Sequence, residues 1–140
     1  MIYVVAALGG LLGALGRWAV ASALPVDPGG WPWATLLVNL TGCLLIGVLL
    51  AVLLARFPTS PWLRPFLAVG VLGGYTTYST FAVETVRLVE DDRAALALGY
   101  VLASVLGGVL AVVLGLLLGR AAVHATDTVD DELTAGEGWS

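Results

Sequence analysis

Charge is what this sequence has least of. Only 11% of its 140 residues are charged, 59% are hydrophobic, and the mean hydropathy is +0.98. Soluble domains carry about 25% charged residues, so a water-soluble globular class is excluded. Cysteine is almost absent too. Cys43 stands alone, so no intramolecular disulfide can form, and in the middle of an apolar segment it is expected to pack as a small apolar side chain. The single histidine, His124, has no ligand set around it and gives no basis for a metal site. No Lys or Arg precedes Arg17, so the N-terminal segment lacks the basic flank of a cleaved signal peptide and reads as a retained span.

Long apolar runs account for the composition. Residues 2–24 hold one charge, Arg17; residues 33–55 and 94–119 hold none; residues 65–83 hold none before Glu84. About 20 apolar residues cross a bilayer core as a helix, so the expected fold is an all-α integral membrane protein of four spans. Residues 1–121 form the membrane domain. Asp127, Asp130, Asp131, Glu132 and Glu137 crowd the last 14 residues, and residues 122–140 are expected to be an acidic, disordered, solvated tail. Without those five acids, six arginines face five acids, so the formal charge of −4 belongs to the tail.

The loops are short: 25–32 is rich in Pro and Gly, 56–64 holds two prolines, and 90–93 is a charged turn. Trp31, Trp33 and Trp62 fall at span ends, where an indole suits the interface. With four spans both termini share one side, which receives Arg56, Arg64 and Arg120, while the other receives Arg17, Arg87 and Arg93. That even split gives no positive-inside bias. The chain is expected to insert in both orientations and pair antiparallel; lipid or an unseen partner setting the topology is the alternative.

Small residues recur at four-residue spacing, the pattern by which helices pack closely in lipid. The ridges are Gly9, Gly13, Arg17, Ala21; Asn39, Cys43, Gly47, Ala51, Ala55; and Gly99, Ala103, Gly107, Ala111, Gly115, Gly119. Polar groups lie on or beside them: Asn39 with Thr41 nearby, and Tyr100 and Ser104, four apart and one position round. Arg17 sits several residues inside its span. Such an arginine either faces protein or water at a functional site, or snorkels and caps carbonyls.

The third span contains Gly73-Gly74 followed by Thr76, Thr77, Tyr78, Ser79 and Thr80. Counted over 65–89, its midpoint is residue 77. Non-helical backbone at that depth must be buried in protein or line a water-filled cavity. The Gly pair is expected to permit a break, and the hydroxyls to satisfy loosened backbone. Broken helices bind ions, freed carbonyls holding cations and half-helix N-termini favouring anions; a simple kink is the plainer reading.

GALGRW (13–18), LLVNLTGCLLIG (36–47) and GGYTTYSTFAVE (73–84), in that order, resemble the small fluoride channels of the CrcB/Fluc family over residues 1 to about 120. The resemblance implies an antiparallel, dual-topology dimer with two fluoride pores in the bacterial cytoplasmic (inner) membrane. It also implies a central sodium ion held by backbone carbonyls, at Gly73 and Thr76 here. The pore asparagine falls on Asn39 and the two pore aromatics on Tyr78 and Phe81. The hydroxyl track falls on Ser79, Thr80, Tyr100 and Ser104, with Arg17 beside an aqueous vestibule. Tyr78 stands where the family pattern has Phe, and some members work as heterodimers of unlike subunits, so both homodimer and heterodimer follow from the resemblance. A small multidrug-resistance-type dual-topology exporter would need a membrane-embedded acid in its first helix, where this chain offers only Arg17. An enzyme is not expected: the spans hold no Cys/His pair, no metal cluster and no nucleophile–base spacing.

Overall fold

The computed structural model describes residues 1–25, 30–58 and 60–137, the side chains of 127–137 excepted. The loop expected at 25–32 and the acidic side chains from Asp127 onward therefore fall partly or wholly outside the described residues. Among the described residues the chain is helical, with four segments long and apolar enough to cross a membrane: Ile2–Ala23, Trp33–Arg56, Arg64–Glu90 and Ala94–Thr126.

The first two are single helices, α1 (Ile2–Ala23) and α2 (Trp33–Arg56). The second starts directly after Pro32 and stops short of Pro58, whose ring disfavours helix in the residue before it. The third begins as wide π-helical turns, Arg64–Leu72, and closes with one α-helical turn, Gly73–Tyr75; together these are α3. Thr76 (ψ 159°) and Thr77 (φ −147°, ψ 125°) are extended, and α4 (Tyr78–Glu90) follows. A tight turn with Asp92 at φ 57° leads into α5 (Ala94–Glu137), and the Arg93 N–H donates back to the Leu88 carbonyl at 2.8 Å.

One feature differs from the sequence reading. The extended residues are Thr76 and Thr77, whereas Gly73 is ordinary helix (φ −65°, ψ −34°). The last helix, α5, runs to Glu137. Its 44 residues make a rod of about 66 Å at 1.5 Å per residue, longer than a bilayer core. Ala121, Ala122, Val123 and Ala125 extend an existing helix without a new nucleation cost, and Arg56 donates to the Val123 carbonyl (3.2 Å) and to the Thr126 hydroxyl.

The small-residue ridges decide the packing. The α1 ridge lies along α3: a Cβ on Gly9 would strike the Phe66 carbonyl, one on Gly13 the Val71 carbonyl, one on Gly74 the Gly10 carbonyl. The α2 and α5 ridges face each other, Gly47 against Val112 and Leu116, Gly115 against Leu44 and Val48, Gly119 against Ala51. In both pairs residue numbers rise together, so α1 and α3 run parallel, as do α2 and α5. Such backbone approach maximises dispersion contact where lipid supplies no hydrophobic drive. At one end of the α2–α5 pair, Tyr100, Leu36, Leu88 and Ala97 form a buried cluster. Trp31, expected at the interface, packs edge-on against Tyr100 with ring centroids 5.9 Å apart. Leu11, Leu15, Trp18, Leu110 and Leu117 are exposed, as suits side chains that meet lipid.

Candidate functional site

Residue 77 is the middle of the span Arg64–Glu90, and the two extended threonines sit there. What holds them is Asn39 of α2. Its Nδ2 donates to the Thr77 carbonyl at 2.9 Å, and the Thr77 N–H donates to its Oδ1 at 2.9 Å. The Thr77 hydroxyl then caps α4, accepting from the Thr80 N–H at 3.2 Å and donating to the Thr80 hydroxyl at 3.0 Å. A second tie joins α2 to α3, the Thr41 and Tyr75 hydroxyls lying 3.0 Å apart.

These bonds divert donors that a continuous helix would have used. An unbroken helix would send the Thr77 N–H to the Gly73 carbonyl and the Thr80 N–H to the Thr76 carbonyl. The first goes to Asn39 and the second to the Thr77 side chain. Both carbonyls lose those partners. Gly73 is exposed, and a Cβ there would meet nothing nearer than 3.9 Å. Carbonyl oxygens relieved of their helical donors are the kind of group that can ligate a hard cation.

Two cavities flank the extended pair. The larger, about 480 Å³, has Asn39, Cys43, Gly73, Thr76, Phe81 and Ser104 among its walls, together with Thr77 and Tyr78. The Ser104 hydroxyl is buried there without a hydrogen-bond partner. The smaller, about 300 Å³, is walled by Arg17, Trp18, Thr35, Thr77 and Thr80, with Ala14, Ala21, Ala34 and Val38. Arg17 makes no hydrogen bond or ion pair with the described residues, so its charge is open to this cavity.

The expected site residues separate into four places. Asn39, Tyr78, Phe81, Ser104, Gly73 and Thr76 share the larger cavity, and Arg17 and Thr80 the smaller. Ser79 lies on the exposed outer face beside Tyr78, which is 81% exposed. Tyr100 lines neither cavity. It is fully buried, its ring 5.2 Å from that of Phe81 and its hydroxyl donating to Glu84 Oε2 at 2.8 Å. Glu84 Oε1 accepts from the Thr35 hydroxyl at 2.9 Å. The carboxylate thus joins α2, α4 and α5 and sets the place of the Tyr100 ring behind Phe81. Thr35 belongs to no recognisable motif in the sequence; the one signal for it is its place one turn before Asn39 on the same helical face.

Four apolar spans and a polar, hydroxyl-lined interruption at the middle of one of them define a multi-pass membrane protein with an internal polar site. The family model described as CrcB-like protein, Camphor Resistance (CrcB), matches residues 4–116. "Fluoride-specific ion channel FluC" of Bordetella petrii is 45% identical over 123 residues, covering 88% of this chain and 91% of its own. "Fluoride-specific ion channel FluC 1" of Moorella thermoacetica is 43% identical over 86% of both chains, and "FluC 2" of Nocardia farcinica 47% identical over 70% of both. The chain belongs to the CrcB-like family. Its relatives are named as ion channels, not as enzymes or drug exporters.

Proposed function

We propose that this protein is a fluoride-selective channel that exports fluoride across the bacterial cytoplasmic membrane as an antiparallel, dual-topology dimer with two pores and a central sodium ion. The observation that carries the reading is the cavity at the extended middle of the third span, in a chain whose relatives are named as fluoride-specific channels. That cavity offers what a small, strongly hydrated anion needs in place of water. The Ser104 hydroxyl has no other partner, and Asn39 keeps a second amide hydrogen beyond the one given to Thr77. The Phe81 and Tyr78 rings carry partial positive charge at their edges. Arg17 in the neighbouring cavity supplies a positive charge, opposite to that of the anion, and Thr80 a hydroxyl beside it.

The dimer rests on a different observation. Gly73, Tyr78, Ser79 and Thr80 are exposed on the outside of one protomer at mid-span, where hydroxyls and freed carbonyls facing lipid would be costly. A second copy covers them, and the balanced arginines allow that copy to be inverted. Gly73 and Thr76 of the two copies would hold the sodium ion through backbone oxygen, and its charge would neutralise carbonyl dipoles gathered at the contact.

The test is anion efflux from liposomes holding the purified protein alone. Fluoride efflux with little chloride efflux, weakened when sodium is replaced by a large organic cation, is the expected result. Flux that appears only after co-reconstitution with a second family member would make the chain one half of a heterodimer. No fluoride flux in either case would overturn the reading.

A further inference from the structure

Thr77 is the one residue common to the walls of both cavities. From this placement we infer that its side chain is the partition between them, and that its methyl group sets the size of anion that passes from the Arg17 side to the Phe81 side. The inference rests on the channel reading above.

Every other group of Thr77 is already committed. Its N–H and carbonyl are both bonded to Asn39, so the backbone cannot swing. Its hydroxyl caps α4 through the Thr80 N–H and the Thr80 hydroxyl, and is therefore turned toward the smaller cavity, which Thr80 lines. The γ-methyl is left for the other side. A β-branched side chain has few rotamers, and one with its hydroxyl anchored twice has effectively one. The residue is 8% exposed, so little room remains around it. The partition is therefore stiff, with a hydroxyl on the face that receives the ion from the arginine side and a methyl on the aromatic side. A small anion can take the Thr80 hydroxyl, which the Thr77 hydroxyl orients, as a donor and slip past the methyl. A larger halide meets a group that cannot rotate away.

Two substitutions separate size from polarity. Thr77→Ser keeps a good helix cap and removes the methyl; Thr77→Val keeps the volume and removes the hydroxyl. In liposomes the Thr77→Ser protein is expected to raise the chloride-to-fluoride flux ratio at least tenfold. Thr77→Val is expected to hold that ratio within twofold of the parent while fluoride flux falls at least tenfold. Thr77→Ala opens the same space and serves if the serine protein is not monodisperse in detergent. A ratio unchanged within twofold in Thr77→Ser or in Thr77→Ala overturns the partition, as does loosened selectivity in Thr77→Val alone. Failure of the parent protein to carry fluoride would instead remove the channel reading.

Discussion

Asn39 and Thr77 exchange two hydrogen bonds of 2.9 Å, the side-chain amide of one reading both backbone groups of the other. One amide thereby takes up the N–H that Thr77 withdraws from a continuous helix and adds a donor to its carbonyl, which lets extended backbone exist at the middle of a span. The same exchange takes the N–H that would have covered the Gly73 carbonyl. A single side chain on α2 both holds the interruption and leaves the Gly73 carbonyl without its helical donor.

Asn39→Asp tests this directly, because it preserves shape and removes the donor. The carboxylate would set oxygen against the Thr77 carbonyl, leaving that acceptor unsatisfied at a cost of about 1–3 kcal/mol. The unfolding midpoint in detergent, followed by tryptophan fluorescence, should fall by several degrees, and fluoride flux should fall at least tenfold. An unchanged midpoint would mean that Asn39 does not hold the interruption.

The two adjacent glycines should respond differently. At Gly74 a Cβ would run into the backbone of Gly10, whereas at Gly73 it meets only the Ala68 carbonyl at 3.9 Å. Gly74→Ala should destabilise the protomer by about 1–3 kcal/mol through overpacking of α1 on α3. Gly73→Ala should leave thermal stability near the parent value yet weaken dimerisation, measured by light scattering during size exclusion, because its open face is where a second copy would sit. Equal stability losses at both positions would contradict this assignment.

Orientation can be read on the C-terminal segment. With Cys43→Ala removing the native thiol, a Ser140→Cys protein should react with a membrane-impermeant maleimide from both sides of the membrane. The even division of Arg56, Arg64 and Arg120 against Arg17, Arg87 and Arg93 is the reason. Labelling from one side only would end the dual-topology proposal.

Four spans, their small-residue ridges and a run of hydroxyls about residue 77, the middle of the third span, could all be read from the sequence alone. Each is a local property: a helix in lipid must satisfy its own backbone and present apolar atoms outward, so hydropathy and four-residue spacing carry the information. The ridges did not say which helix meets which. That α1 lies on α3 and α2 on α5, each pair parallel, followed only when the Gly9–Phe66 and Gly115–Leu44 approaches were seen in three dimensions.

The interruption divides the same way. Gly73-Gly74 was the natural place to expect non-helical backbone, since glycine tolerates unusual angles. The extended residues are Thr76 and Thr77, because the group that stabilises them, Asn39, lies 38 residues away on another helix. Likewise Glu84, Thr35 and Tyr100 lie on three separate helices, and only the folded chain brings them into hydrogen-bonding contact. Periodicity reports how a segment meets its surroundings. Which donor leaves its own helix for a partner elsewhere is settled by packing, and only the tertiary structure decided it.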